Sequence, residues 1–121
     1  MLKIIYYVDS ASGESSIREN INNIKKDSVR AKVRASIMYA AENDGKAASI
    51  ITKNIRGYHF SEVRVKFSRD LYRILYFIWR NDKMVLLHMF VKKENQKTPE
   101  KELIEAEMRY KNFINNIRLY E

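Results

Sequence analysis

The 121 residues carry 23 Lys and Arg against 15 Asp and Glu, a formal charge of +8, with 45% hydrophobic residues, three glycines and one proline. Such a chain buries about two-thirds of its unfolded surface in one core, which excludes a disordered or low-complexity protein and points to a single domain over 1–121. The absence of cysteine excludes disulfides and thiolate metal sites, and no apolar run reaches the length of a membrane span, so a cytoplasmic protein without a membrane partner is expected.

In chain order, "LKIIYYV" is a short β-rich run ended by "SASG". Ile17, Ile21 and Ile24 recur at helical spacing, and so do Val29, Val33, Ile37 and Ala40 after a possible N-cap at Asp27-Ser28, which predicts a helical hairpin. "ENDGK" ends the second helix, with Gly45 as a left-handed cap. A polar connection with one short helical turn, Ala47 to Ile55, leads through Gly57 to the sheet. At the far end Thr98 is placed to cap a long helix, with Pro99 at its first position, Glu100 and Glu102 in its first turn, and an apolar stripe of Leu103, Ala106, Tyr110, Phe113, Ile117 and Tyr120.

Between these helical patterns the stretch "SEVRVKFSRDLYRILYFIWRNDKMVLLHMFVKK" is β-like, yet cations interrupt it. Residues 53–97 hold eleven Lys and Arg against four Asp and Glu, a net +7, while the rest of the chain carries +1. Charge gathered on a sheet attracts a polyanion, with nucleic acid as the leading partner. Two-residue turns at Ser68-Arg69 and Asn81-Asp82 set a register in which Arg64 faces Arg73, Arg73 faces Phe90, Lys66 faces Leu71, Leu71 faces Lys92, Leu75 faces His88 and Trp79 faces Met84. One sheet face then holds Val63, Val65, Phe67, Tyr72, Ile74, Tyr76, Ile78, Val85, Leu87, Met89 and Val91, to be covered by the helices. The other holds Glu62, Arg64, Lys66, Arg73, His88 and Lys92 at one end and Leu75, Phe77, Trp79, Met84 and Leu86 at the other. A three-residue first turn would drive Arg64 and Lys66 into the core at several kcal/mol per unpaired charge. Arg73 lies in an apolar strand where a structural arginine would need a carboxylate. A phosphate satisfies the cluster better, with Tyr58 and Tyr72 available to stack bases.

The segments "EVRVKF", "LYRILYF", "KMVLLHMFVKK" and "QKTPEKELIEA", in this order and spacing, resemble the HigB branch of the RelE/ParE toxin superfamily, in particular its phage-derived relatives. The resemblance is good over residues 58–107. It implies an α+β, RelE-like fold: a twisted, mainly antiparallel four-stranded sheet with an N-terminal helical hairpin and a C-terminal helix. It also implies the toxin of a type II toxin–antitoxin system, a ribosome-dependent mRNA endoribonuclease that needs no metal or other cofactor, with a cognate antitoxin and mRNA on the ribosome as partners. The family pattern carries its active site onto Arg64 and Lys66, onto Arg73 within Tyr-Arg-φ-φ-Tyr, and onto Lys93 with Lys92 beside it, Lys93 having to turn inward from the opposite parity. Where some relatives place a catalytic tyrosine this chain has Pro99, and the terminal helix has no histidine. The general base is thus open between His88, Glu62 and a lysine. The alternatives are a ParE-like toxin that inhibits DNA gyrase without cutting, and a non-catalytic RNA-binding module.

Overall fold

A computed structural model describes residues 1–44, 52–93 and 96–121. Its elements run β1 (Lys3–Tyr6), α1 (Ser16–Asn22), α2 (Asp27–Glu42), β2 (Thr52–Asn54), β3 (Ser61–Phe67), β4 (Asp70–Trp79), β5 (Lys83–Lys93), α3 (Glu100–Asn115) and a final 3-10 turn, Ile117–Tyr120. The class is α+β, but the sheet has five strands rather than four, in the order β1-β5-β4-β3-β2. The run "LKIIYYV" supplies β1, which pairs parallel to β5, while the other pairs are antiparallel. The added strand is β2, within the stretch read as a polar connection; three residues are too few to show alternation. Gly45 and most of the expected 47–55 helical turn fall outside the described residues. Among the described residues no helix is long and apolar enough to cross a membrane.

The α1–α2 hairpin forms as its spacing dictates. Ile17, Ile21, Val33 and Ala40 are fully buried, Ile37 nearly so, and the Ser15 hydroxyl accepts from the Arg18 amide to cap α1. The residue before α2 is Lys26, and Asp27 instead pairs with Arg30 in the first turn. At α3 the N-cap position falls on Pro99 and the Thr98 side chain does not cap the helix, because its hydroxyl is taken by Arg73. The terminal helix is also shorter than its apolar stripe, ending at Asn115 before the 3-10 turn.

Between β3 and β4 the register is the predicted one, with Ser68 at φ +58° in a two-residue turn and Arg64 opposite Arg73. The next hairpin differs. Its loop is three residues, Arg80 to Asp82, so Trp79 pairs with Lys83 rather than Met84, and a β-bulge at Leu87 returns the strands to the expected pairing of Leu75 with His88 and Arg73 with Phe90. Between loop and bulge the side chains of β5 exchange faces. Val85, expected beside Leu87, pairs with Phe77, and Met84 and Leu86 pair with Ile78 and Tyr76.

Helices cover both faces, not one. The α1–α2 hairpin lies over the Val63, Val65 and Ile74 side, while α3 lies over Phe77 and Trp79, whose rings meet Phe113 edge-on at 5.3 and 5.0 Å. Phe77 and Trp79 are accordingly sheet packing and Met84 is buried on the opposite face beside Ile78, whereas Ile78 and Val91, expected in the core, are about two-fifths exposed. The turn from β2 to β3 is closed by the Ile55 amide donating to the Phe60 carbonyl, with Gly57 at φ +85°. Open space surrounds the position a Cβ would take there, so Gly57→Ala is expected to cost about 1 kcal/mol from backbone strain alone, read as a small drop in chemical-denaturation midpoint.

Candidate active site

Three rows of opposed residues run across the α3 side of β3, β4 and β5. They are Glu62–Leu75–His88, Arg64–Arg73–Phe90 and Lys66–Leu71–Lys92, and Lys53 of β2 extends the first row as the partner of Glu62. Opposed residues bring their Cβ atoms to about 5 Å, so the two arginines and Glu62 are neighbours by construction of the sheet. Here a cleft of about 490 Å³ opens toward the start of α3, and its charged lining among the described residues is Lys53, Arg56, Arg64, Arg73 and Lys97 with the carboxylate of Glu62.

Arg73 is 6% exposed, and its guanidinium is held from two sides. Nη1 donates to the Thr98 hydroxyl, Nη2 donates to the Gln96 carbonyl at 2.6 Å, and the plane lies 6.0 Å from the Phe90 ring. Among the described residues its Nε has no hydrogen-bond partner. A buried cation so tethered cannot reorient, which is how a preorganised donor is built. Glu62 is 3% exposed, and burial pushes its carboxyl above the ordinary carboxylate value against the pull of Arg73, Arg64 and Lys53. Among the described residues its Oε2 has no hydrogen-bond donor. A buried carboxylate with an unused oxygen, beside two guanidiniums, is poised to take a proton.

A family model for phage-derived Gp49-like proteins (DUF891) matches residues 20–111, a span that holds α2, strands β2 to β5, most of α3 and every charged residue of the cleft. The chain belongs to the Gp49-like family. That family sits within the RelE/HigB-like toxin superfamily and is associated with RNase-like proteins of toxin–antitoxin systems. No curated protein matches the chain.

The Gp49-like fold sorts the expected site residues into two groups. Arg64 and Arg73 share the cleft with Glu62. Lys66 lies one row further along β3, exposed, its carbonyl accepting from the Lys32 ammonium, and Lys92 lies in that same row. Neither lines the cleft. Lys93 does not turn inward as expected, because it pairs with Asp70 across the strand ends at 2.8 Å. His88 is buried under α3, its Nε2 3.4 Å from Glu102 Oε1, and burial, then the Arg109 cation, holds its pKa below the usual imidazole value. It too lies outside the cleft lining, which among the described residues includes Glu62. Tyr72 lines a separate cavity beside α1 and α2, and Tyr58 lines another together with Ile104 and Met108 of α3.

Lys53, Arg56, Gln96, Lys97 and Thr98 went unnoticed as site residues. Lys53 belongs to a strand too short to read, and Arg56 to the turn that follows it. Thr98 and Lys97 belong to "QKTPE", whose polar residues look complete as a helix start and give no sign of an arginine arriving from β4. Among the described residues no group of three His, Asp or Glu comes together as a metal site.

Proposed function

We propose that the protein is a HigB-type toxin of a type II toxin–antitoxin pair, a cytoplasmic single-domain endoribonuclease that cuts mRNA on the ribosome and is neutralised by a cognate antitoxin. The observation that carries this reading is the juxtaposition of Arg64 and Arg73 on neighbouring strands with the buried carboxylate of Glu62, inside one cationic cleft. Among the described residues five cations and one carboxylate line this cleft, an excess of positive charge that suits a phosphate.

In this mechanism the nucleophile comes from the substrate. The RNA 2′-hydroxyl attacks the adjacent phosphorus in line, Glu62 takes its proton, and the bond to the 5′-oxygen breaks as that oxygen collects a proton from solvent water. The products are a 2′,3′-cyclic phosphate and a 5′-hydroxyl. Arg73 offers its fixed guanidinium to the charge that grows on the phosphoryl oxygens, and Arg64 holds the same group from the next strand; one such donor is worth about 3–4 kcal/mol in the transition state. Lys66 and Lys92, one row away, attract the neighbouring backbone, and Lys93 acts at longer range.

Primer extension on transcripts after induction tests the reading. Discrete new 5′ ends are expected, an upstream fragment ending in cyclic phosphate, no cutting where the target nucleotide is 2′-deoxy, and cleavage that persists in EDTA on a pre-assembled ribosome complex. Products with 5′-phosphates would overturn the mechanism. Intact transcripts with a supercoiling defect would favour the gyrase reading, and RNA binding without new ends would favour a binding module.

A further inference from the structure

Three cations of the cleft, Lys53, Arg56 and Lys97, have no part in the chemistry just described. They are exposed, and they come from three different places: the edge strand β2, the turn that follows it, and the segment before α3. Each place is braced. Lys53 is fixed opposite Glu62 by the β2–β3 ladder. The turn bearing Arg56 is closed by the Ile55 to Phe60 hydrogen bond and pinned to α3 where the His59 ring stacks on Tyr110, centroids 5.4 Å apart and planes within 15°. Lys97 lies between Gln96 and Thr98, the two residues that Arg73 grips. Among the described residues neither Arg56 nor Lys97 has an ion pair. Three long cationic side chains gathered at the mouth of a cleft already rich in positive charge repel one another, and a ligand with several regularly spaced anionic groups relieves that repulsion.

We propose that Lys53, Arg56 and Lys97 form a positioning rim for single-stranded RNA, each holding a backbone phosphate that flanks the one gripped by Arg64 and Arg73. The inference rests on the endoribonuclease reading and extends it to the shape of the substrate: an extended strand lying across the cleft, recognised along its backbone. A rigid A-form or B-form duplex does not lay consecutive phosphates of one strand across a cleft of about 490 Å³. The rim cations make contacts to phosphate alone, so they set affinity and register without reading sequence.

The test separates binding from cutting. A short fluorescent 2′-O-methyl oligoribonucleotide, which has no free 2′-hydroxyl and cannot be cleaved, is titrated with the wild type and with Lys53→Ala, Arg56→Ala, Lys97→Ala and the triple variant over a range of salt. Each lost phosphate contact should flatten the plot of log affinity against log salt by about 0.7, so by about 2 for the triple variant. The loss should be the same for oligonucleotides of different sequence. Melting temperatures control for folding. Unchanged slopes in all four variants would overturn the rim even if the wild type cuts transcripts, and so would a preference for duplex over single strand. Failure of the cleavage reading instead appears as intact transcripts with the wild-type slopes still reduced by the rim substitutions, so the two outcomes are distinct.

Discussion

An Arg73→Ala variant is expected to lose growth inhibition and to melt on the order of 10 °C lower, whereas Arg64→Ala is expected to lose activity alone. The difference follows from burial. Removing the Arg73 guanidinium strips donors from the Thr98 hydroxyl and the Gln96 carbonyl and takes a positive neighbour from the buried Glu62 carboxyl, losses that together cost about 3 kcal/mol. Arg64 is only half-buried, so its truncation should leave the melting temperature within a few degrees while cleavage falls about 10²–10³-fold. Growth curves, cleavage rates on a programmed ribosome and thermal melts of the two variants provide the comparison. A stable, inactive Arg73→Ala protein would show that the clamp on residues 96–98 contributes nothing to the fold. An active Arg64→Ala protein would remove that residue from the chemistry.

Glu62→Gln should separate activity from stability in the other direction. As the general base, Glu62 contributes about 10²–10⁴-fold to cleavage, so the amide should be nearly inactive. The wild-type rate should rise with pH through the elevated Glu62 pKa and then level, and the residual rate of the variant should lack that limb. Stability carries the opposite sign. A carboxyl whose pKa in the folded protein lies above its ordinary value of 4.5 favours folding most below that value and loses the contribution as pH rises through the raised one. Denaturation midpoints of the wild type should therefore decline across that window relative to those of Glu62→Gln. A wild-type rate that is flat in pH, or a fully active Glu62→Gln protein, would move the base elsewhere.

Much of the site was legible because strand parity is a strict code. Once Ser68-Arg69 is read as a two-residue turn, Arg64 has to oppose Arg73, and both have to lie on the Glu62 face. Parity says nothing about what crosses from outside the strand. Arg73 was assigned to a phosphate because no partner is visible beside it in sequence, yet its protein partners, Gln96 and Thr98, lie more than twenty residues away in a segment that resembles an ordinary helix start. The same limit hid α3 over Phe77 and Trp79: an aromatic face can be covered by the chain's own helix or by another protein, and alternation does not distinguish them. Lys93 failed to turn inward because Asp70, directly opposite, offers a carboxylate at the strand end. His88 lost its claim as a base through burial under α3 and its contact with Glu102, neither of which leaves a trace in β5 itself.

The bulge at Leu87 also bears on how the chain can change. The extra residue in the Arg80–Asp82 loop and the extra residue at the bulge offset each other, so only the strand segments between them are displaced and everything beyond Leu75 keeps its pairing. The far tip of the hairpin and the arginine row are thus uncoupled in register, like two gears with a slipping joint between them. Insertions or deletions of one residue at the tip can be absorbed at the bulge without reaching Arg73 and Phe90. The tip is therefore the part of this sheet whose length and side chains can vary while the cleft stays in place.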